Sequence, residues 1–556
     1  MAMALGRRGS AAVTFVAAAV VGFLGHGQLM GSQAEKGITL TPIGVYRSNI
    51  FDQGGSEIAA YDPASRRLFT VNLRDQRVDV LDISNPASPF LTLTIPIAAW
   101  GSQANSVAVR DGLIAIAVEA SPKTDPGTVV FMNAYGGFLG AVQVGALPDM
   151  LTFTPNGQMV LVANEGEPNR YVVAGLVDPE GSVSIIDLRG GVENLTAEDV
   201  TTAGFGAFNG TTLDPSIRIF GPGATVAQDL EPEYIAVSHD SHTAWVTLQE
   251  NNALGIIDLR EKRVTKLVGF GFKNHNVAGR GFDGSDRDLH TVSIQPRPVF
   301  GMYQPDGIDT FEVKGRTYLI TANEGDVREW PGLPTGTEAR RVSALGLDAV
   351  AFPTGATLKT NPVLGRLNVT FHNGNTDADA DFEQLYAFGA RSFSVWNDAG
   401  VQVFDSGDAL EQITAARYPA GFNANHSNNS NTGNPNDTTH DSRSDDKGPE
   451  PENVTVARLF GRQFAFIALE RIGGVMVYEL SDPTAPKFVD YVNVRTIGVD
   501  AFSAAAGDLG PEGLIVIKEE DSPTGKPLLV VANEVSGTTR IFEIAMAKET
   551  GRPKKK

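Results

Sequence analysis

Short apolar runs bounded by Gly, Pro or Asp recur along the chain in groups of three. The clearest copies are 448–480 and 510–544, in which three such runs follow one another in the same order. Runs of this length and composition are typical of β-strands. Strands that recur in regular triplets or quartets are typical of propeller blades. Seven copies can be counted, so the sequence predicts an all-β fold, a seven-bladed β-propeller, in which the early segment 38–46 completes the last blade.

The repeats are longer than a compact blade requires. Seven copies over the mature chain give about 75 residues each, whereas a compact blade needs about 40–45. The excess lies in five insertions rich in Gly, Asn, Asp and Pro, namely 166–181, 201–227, 266–300, 330–375 and 414–447. Such compositions favour loops, so we expect long loop insertions on one face of the propeller.

The N-terminal segment has the features of a secretory signal. Arg7 and Arg8 precede an apolar run at 11–24, and small residues follow at 32–34. This run is short for a membrane span, although an N-terminal anchor remains an alternative. We expect a signal peptide at 1–34, a single propeller domain at 38–545 and a basic tail at 546–556. The mature protein is then secreted, extracellular or periplasmic, with no transmembrane segment.

Charge and cysteine content exclude several functions. The chain has 65 acidic and 45 basic residues, a formal net charge of −20, and no cysteine. A surface of this sign repels the phosphate backbone, so nucleic acid is not an expected partner. Without cysteine there is neither a thiolate metal site nor a cysteine nucleophile. The composition instead suits cations, or ligands that arrive bridged by cations.

The repeat carries acidic residues at two fixed positions, and twelve of the fourteen positions are carboxylates. The first position holds Glu57, Asn105, Asp149, Glu233, Asp306, Glu452 and Glu512. The second holds Asn72, Glu119, Glu165, Glu250, Glu324, Glu470 and Glu534. The innermost strands of a propeller face one central channel, so these acids should ring its mouth. Carboxylates without Cys or clustered His suit calcium first, then magnesium or manganese. The alternative is that they cap turns.

A denser charged stretch at 441–452 runs from an insertion into the sixth copy. Arginine binds phosphate oxygens as a fork and lysine as a point charge, and the neighbouring acids can hold a bridging metal. The predicted cationic catalytic residues are Arg443, Lys447, Arg471 and Arg328. The predicted metal ligands are Glu233, Glu250, Asp306, Glu324, Asp445, Asp446, Glu450, Glu452, Glu470, Glu512 and Glu534. The alternative is a solvated charged loop.

Two weaker signals concern calcium and histidine. Acids alternate along 375–383, which favours a loose calcium-binding turn, although the glycine and the final Glu of an EF-hand are missing. His426 and His440 lie in a polar loop and are weak candidates for a ligand or an acid.

The motifs at 281–288, 301–307, 441–452 and 469–475 resemble those of the choice-of-anchor I family, and the likeness extends over 38–544. This resemblance implies a secreted β-propeller. The family includes mesenchyme-specific cell-surface glycoproteins of biomineralisation, and many bacterial members are labelled alkaline phosphatase. The resemblance therefore implies an extracellular protein that functions where calcium is abundant. It does not decide between binding and catalysis.

Three functions compete. The first is a metal-dependent phosphomonoesterase at the channel mouth, acting on a small phosphorylated substrate. The second is a non-catalytic calcium-binding protein whose partner is a mineral or matrix surface. The third is an interaction scaffold, since propellers host all three functions. The interleaving of Arg and Lys with the acids at 441–452 favours the phosphatase, because calcium storage alone needs no basic residues there.

Overall fold

The computed structural model describes residues 37–170, 175–329, 336–377, 379–426 and 439–547. Residues Ile38–Met546 form one compact unit. The predicted signal peptide at 1–34, and all of the predicted basic tail beyond residue 547, lie outside the described residues. Within the described parts of the chain, no helix combines the length and apolarity that crossing a membrane requires.

The chain is all-β, and its described residues form seven four-stranded antiparallel sheets and one five-stranded sheet. Strand β1 (Ile38–Arg47) comes first and belongs to the seventh sheet. The first sheet comprises β2 (Ala59–Asp62), β3 (Arg67–Asn72), β4 (Arg77–Asp82) and β5 (Phe90–Pro96). The second comprises β6 (Gln103–Arg110), β7 (Leu113–Glu119), β8 (Pro126–Asn133) and β9 (Phe138–Ala146). The third comprises β10 (Pro148–Phe153), β11 (Met159–Asn164), β12 (Ser182–Asp187) and β13 (Val200–Gly204).

The remaining sheets follow in chain order. The fourth comprises β14 (Pro232–Val237), β15 (Thr243–Leu248), β16 (Ala253–Asp258) and β17 (Arg263–Gly269). Strands β18 (Phe272–Asn274) and β19 (Phe300–Met302) precede the fifth sheet, which begins with β20 (Ile308–Val313) and β21 (Arg316–Asn323). After β22 (Ala339–Arg341), β23 (Asn368–Thr370) and β24 (Tyr386–Ala387), the fifth sheet ends with β25 (Ser392–Asn397) and β26 (Gln402–Asp405). The sixth comprises β27 (Pro451–Leu459), β28 (Arg462–Leu469), β29 (Val475–Glu479) and β30 (Lys487–Val492). The seventh adds β31 (Pro511–Ile517), β32 (Leu528–Asn533) and β33 (Thr538–Met546) to β1.

Among the residues that the structure describes, helices are few and short. The α-helices are α1 (Val226–Asp229), α2 (Gly355–Leu358) and α3 (Ala409–Arg417). Single turns of 3-10 or π helix occur at Val192–Asn194, Ala197–Asp199, Gly206–Phe208, Val342–Ala344, Asn361–Gly365, Pro419–Gly421 and Ala504–Ala506. They lie in the connections between strands, so the core is built by the sheets.

The core lies between neighbouring sheets, and the apolar runs of the sequence are explained by burial on both faces. In β3, Leu68 packs with Val530 of the seventh sheet, while the next residue, Phe69, packs with Ile116 of the second. Adjacent side chains of a strand point to opposite faces. A strand sandwiched between two other sheets therefore needs apolar residues at consecutive positions.

The first strand of each four-stranded sheet contacts that of the next sheet in a cyclic order, where β31 counts as the first strand of the seventh sheet and β1 as its outer strand. Strand β2 contacts β6, and the series continues through β10, β14, β20, β27 and β31, which contacts β2 again. Four-stranded antiparallel sheets arranged in this order are typical of a β-propeller.

The prediction that the early segment completes the last sheet is confirmed. Strand β1 pairs antiparallel with β33 from Ile38 opposite Met546 to Arg47 opposite Thr538. The register shifts between Pro42 and Gly44. One sheet is thus made from residues near both ends of the compact unit.

The insertions are more structured than their composition predicts. Segments 266–300 and 330–375, for which the sequence predicts loops, contain β18, β22 and β23 of the five-stranded sheet β18-β19-β24-β23-β22, and β19 begins at the last residue of the first segment. Strands β19 and β24 run parallel, and Phe282, Leu364 and Val369 belong to a core beside this sheet. Strands of two or three residues leave no periodic signal, so the sequence predicts loops at these positions.

The pairing of β1 with β33 should contribute strongly to stability. Leu40 is buried in β1 and belongs to a core cluster with Phe542 and Ile544, whereas the adjacent Thr41 is exposed. We expect Leu40→Ala to lower the free energy of unfolding by about 2–5 kcal/mol. Thr41→Ala, the matched control, should change it by less than about 0.5 kcal/mol. Urea denaturation followed by tryptophan fluorescence measures both, and equal effects would contradict the role assigned to β1.

Candidate functional site

The first acid of four of the repeats is positioned by a β-bulge. In the third sheet Pro148 pairs with Asn164 and Leu151 with Val162, so Asp149 and its neighbour oppose a single partner. Proline donates no backbone hydrogen bond and suits the first position of a strand, and the bulge redirects the side chain that follows it. The same shift after a proline occurs at Glu233, Glu452 and Glu512.

The second acid follows the end of the second strand. Glu165, Glu324 and Glu534 each come directly after a buried asparagine that ends its strand. The Asn164 amide donates to Ser184 Oγ at 3.0 Å, and the Asn323 amide donates to Ser394 Oγ at 2.9 Å. These bonds fix the strand end to the adjacent strand, so the following carboxylate has a defined place.

Both sets of acids meet at one cavity of about 510 Å³. Its acidic lining residues are Glu57, Glu119, Asp149, Glu165, Glu167, Glu233, Asp306, Glu324, Asp326, Glu452, Glu470, Glu512 and Glu534. Its basic lining residues are Lys123, Lys447 and Arg471. Eleven of the twelve acids of the repeat therefore line a single cavity, and Glu250 is the exception.

Asp149, Glu165 and Glu233 form a group in this cavity whose strongest charged neighbours are all carboxyls. One carboxylate oxygen from each lies within 4.8 Å of the others. Burial, followed by repulsion from Asp306 and Glu119, raises the pKa of Asp149 to about 7. Burial and other carboxylates also raise the pKa values of Glu165 and Glu233 well above their ordinary range. These side chains keep some contact with the water of the cavity, yet the protein surrounds them on every other side.

A second acidic group lies beside the first. Asp306, Glu324 and Glu452 also offer oxygens within 4.8 Å of one another. Burial raises the pKa of Asp306 to about 6 and that of Glu324 to about 8. The buried Oε2 of Glu452 has no hydrogen-bond partner among the described residues. An oxygen in this condition is satisfied by a proton or by a cation.

Glu450 contacts three of the predicted catalytic cations. Its carboxylate accepts from Arg443 Nε at 2.6 Å and Arg471 Nε at 2.9 Å, and lies 3.1 Å from Lys447 Nζ. Lys447 also pairs with Glu324. Burial opposes the charge of Glu450, but these three cations hold its pKa well below its usual range. The predicted catalytic cations are thus already engaged with carboxylates.

Glu470 carries its charge for a related reason. Burial alone would raise its pKa, but Arg471 and His426 lower the pKa to about 2. The His426 Nε2 atom lies 2.9 Å from Glu470 Oε1. Glu470 therefore stays ionised to a lower pH than Asp149, Asp306, Glu324 and Glu534, which line the same cavity.

Several residues predicted for the site lie outside the cavity lining. Asp445 pairs with Arg341 at 2.7 Å and with Arg366 at 3.0 Å, and Asp446 pairs with Arg443 at 3.0 Å.

Two more predicted residues belong to a buried network next to the cavity. Arg328 pairs with Asp229 at 2.6 Å and with Glu231 at 2.9 Å. Burial raises the pKa of Glu250 to about 7, although nearby Arg328 opposes this. The spacing of the repeat predicts that Glu250 lines the channel mouth. It is instead absent from the cavity lining, and its strongest charged neighbour is Arg328 of this network.

The sequence missed part of the lining. Lys123, which pairs with Glu167, and Gln249, which donates to Glu324 Oε2 at 2.8 Å, were not singled out. Asp149 and Glu165 stood in the repeat but not among the predicted ligands. The sequence signal that could have indicated Glu167 is its position two residues after Glu165, just beyond the end of a strand.

The alternating acids at 375–383 bind their own loop. Asp377 Oδ1 accepts from the backbone of Asp379, and Asp379 Oδ1 accepts from the backbone of Asp381. Glu383 accepts from the backbone and hydroxyl of Thr376. These bonds have the form of turn caps. The predicted calcium-binding turn stays a prediction.

Antiparallel sheets whose inner strands bring carboxylates to one shared cavity define an all-β protein of propeller type. The chain matches the model of the choice-of-anchor I domain over residues 57–483. It belongs to the choice-of-anchor I family.

Two curated relatives share part of this sequence. Gigasin-3a of Magallana gigas is 31% identical over 194 residues, which cover 34% of this chain and 66% of the relative. A mesenchyme-specific cell surface glycoprotein of Strongylocentrotus purpuratus is 26% identical over 297 residues, covering 49% of this chain and 37% of the relative. The matches thus span just under two thirds of the first relative and about a third of the second.

Two solved structures resemble this chain at low similarity. Hydrazine synthase of Kuenenia stuttgartiensis gives a TM-score of 0.43 at 12% identity, covering 89% of this chain and 97% of that chain. The β-propeller domain of Cps50 (Swd1) from Myceliophteria thermophila gives a TM-score of 0.42 at 9% identity, covering 91% and 100%.

The crowded carboxyls should make stability depend on pH. Burial raises the pKa of Glu534 to about 8 from an ordinary value of 4.5, so between these values the folded state holds protons that the unfolded state has lost. Without divalent ions, the free energy of unfolding should therefore fall as the pH rises from about 5 to 8. Glu534→Gln removes one such group and should flatten this fall, whereas Glu193→Gln, at an exposed position, should not. Urea denaturation at a series of pH values measures the slope, and a stability that rises over this range would refute the prediction.

Proposed function

We propose that this chain is a secreted, seven-bladed β-propeller that binds divalent cations, calcium first and magnesium or manganese next, in its acid-lined cavity. The observation that carries the proposal is the group Asp149, Glu165 and Glu233. The chief electrostatic influences on these three carboxyls come from other carboxyls. A divalent cation supplies the missing positive charge.

The cyclic contacts of the first strands support the seven-bladed ring. Seven four-stranded sheets take part in this series, and the contact between β31 and β2 joins its last member to its first. In such a ring the inner strands surround one axis. The five-stranded sheet then lies outside the repeat as an elaboration of the fifth blade, because three of its five strands lie within the insertions at 266–300 and 330–375.

The donor set fits a hard cation. Calcium takes six to eight oxygen ligands, from carboxylates, carbonyls and water. Asp149, Glu165 and Glu233 offer six carboxylate oxygens, and Asp306, Glu324 and Glu452 offer six more within the same lining. Because burial raises the pKa values of these groups, binding a cation at neutral pH must also release protons. Proton release on binding therefore distinguishes this site from exposed surface acids.

An extracellular location is part of the proposal. The predicted signal at 1–34 directs export, and one relative is a cell surface glycoprotein by name. Extracellular calcium is abundant enough for sites with weak affinity to be filled. A calcium-loaded propeller on a cell surface or in a matrix is consistent with both observations.

A phosphomonoesterase is the second candidate. Lys447 and Arg471 line the same cavity as the acids, so a metal-bridged phosphate would have cations at hand. Both cations are already paired with Glu450, and such ion pairs compete with a phosphate for them. This competition is the reason for placing cation binding first.

Calcium binding can be tested at Glu233. Calorimetric titration of the chelator-treated protein should show binding, with an observed heat that depends on the ionisation enthalpy of the buffer because protons are released. Glu233→Gln should weaken binding by about tenfold or more, as expected for the loss of a ligand. Asp240→Asn is the matched control. Glu233 lies near the start of β14, whereas Asp240 is exposed in the turn that follows the end of the same strand. Unchanged binding in Glu233→Gln would refute the assignment, and a protein that binds none of the three ions would leave only the scaffold function.

Catalysis is tested separately with p-nitrophenyl phosphate. If the second candidate is correct, hydrolysis requires a divalent ion and falls by about 100-fold or more in Arg471→Ala, as expected when a cation that stabilises the transition state is lost. Glu452→Gln should also lose activity, and Arg260→Ala, at an exposed surface position, should keep it. No hydrolysis with calcium, magnesium or manganese would eliminate the phosphatase without affecting the calcium proposal.

A further inference from the structure

Two histidines that are far apart in the sequence meet beside a buried aspartate. His290 comes from the insertion at 266–300, and His440 and Asp441 come from the end of the insertion at 414–447. One ligand atom from each of the three lies within 4.8 Å of the others. We propose that His290, His440 and Asp441 bind a transition-metal ion of the zinc type, at a site separate from the acid-lined cavity.

The distances require little rearrangement. His290 Nδ1 lies 3.9 Å from Asp441 Oδ2, and the two imidazole rings lie 5.8 Å apart at an interplanar angle of 74°. Ligand atoms around a tetrahedral zinc ion, at about 2.1 Å from the metal, are about 3.4 Å from one another. A side-chain rotation of the exposed His290 suffices to close the difference.

Asp441 provides an independent sign of a missing ligand. Its side chain is fully buried, and its Oδ1 accepts from Ser444 Oγ at 2.5 Å. Its Oδ2, the oxygen that faces His290, has no hydrogen-bond partner among the described residues. A buried carboxylate oxygen without a partner is costly. A cation held between this oxygen and the two rings removes the cost.

The surroundings of the three residues also fit a metal. The carbonyl of Pro419, the only hydrogen-bonding backbone group that a proline has, is within hydrogen-bonding reach of the His440 ring. A histidine that ligates a metal usually gives its other ring nitrogen to such an acceptor. The side chain of His290 is 60% exposed, so an ion can enter from solvent. Asp283 and Asp288 lie close enough to repel the charge of Asp441, which makes the local potential favourable to a cation.

The ligand types separate this site from the calcium site. Imidazole nitrogens with one carboxylate suit zinc and other transition metals, whereas calcium prefers oxygen alone. No histidine is among the residues that line the cavity, although His426 contacts one of its thirteen acids, Glu470, and none of His290, His440 and Asp441 lines it. Three protein ligands leave at least one position of a tetrahedral ion for water or a substrate.

The experiment uses the full-length protein after treatment with chelator, in excess calcium so that oxygen sites are filled. Titration with Co²⁺, followed by visible absorption, reports nitrogen-containing tetrahedral coordination, and Zn²⁺ then displaces it. We expect one equivalent to bind, and His290→Ala to weaken binding by about tenfold or more. His242→Ala is the matched control, since His242 is an exposed histidine whose Nδ1 lies 3.2 Å from one carboxylate, that of Asp240.

Two further variants keep the outcome interpretable. His440→Ala should also weaken binding, and circular dichroism shows whether this variant still folds. If it does not, the result for His290→Ala, at an exposed position, decides. Glu233→Gln should leave cobalt binding unchanged. The proposal is overturned if cobalt binds as tightly to His290→Ala as to the parent protein, if no tetrahedral spectrum appears, or if Glu233→Gln rather than His290→Ala abolishes binding.

Discussion

Face-to-face packing of neighbouring sheets is the constraint on which the rest of this structure depends. A strand such as β3 buries Leu68 against one neighbouring sheet and Phe69 against another, so neither face of its sheet is left for solvent. Sheets that must be covered on both sides, each by the next, produce the cyclic contacts of their first strands. The side chains at the beginning of each first strand are then brought toward one shared cavity. The crowding of carboxyls at Asp149, Glu233, Glu452 and Glu512 follows from the packing of apolar residues elsewhere.

The crowding of carboxyls produces two electrostatic regimes, one beside the cavity and one in its lining. Around Glu450, three basic side chains compensate the charge, and the carboxylate stays ionised because it is surrounded by Arg443, Lys447 and Arg471. Around Asp149, Glu165 and Glu233, the nearest strong influences are further acids, so burial favours protons at neutral pH. The charge of the first region is compensated by its own basic side chains. In the second, a bound cation would replace the protons, and the proposed ion site is assigned to this region for that reason.

The sequence predicted the parts of this structure that repeat, and failed where they do not. The strands and most of the acids followed from one spacing found in several copies, and the bulge after Pro148, Pro232, Pro451 and Pro511 explains why that spacing works. The five-stranded sheet was missed because its strands have two or three residues and no period. The neighbours of Asp445 were missed because Arg341 and Arg366 lie 104 and 79 residues earlier in the chain and leave no local pattern. The approach of His290 to His440 was invisible for the same reason.

The pairing of β1 with β33 has a consequence for biosynthesis. The last sheet takes one strand from near the first residue of the compact unit and three from near its last, so its outer strand has no partner until the whole compact unit has been synthesised. A chain emerging from a ribosome or a translocation pore can assemble the earlier sheets in turn, but not this one. Until then the exposed edge and inner face of the incomplete assembly are open to wrong partners. Assembly of the final sheet is therefore the step at which chaperones would have most effect on yield.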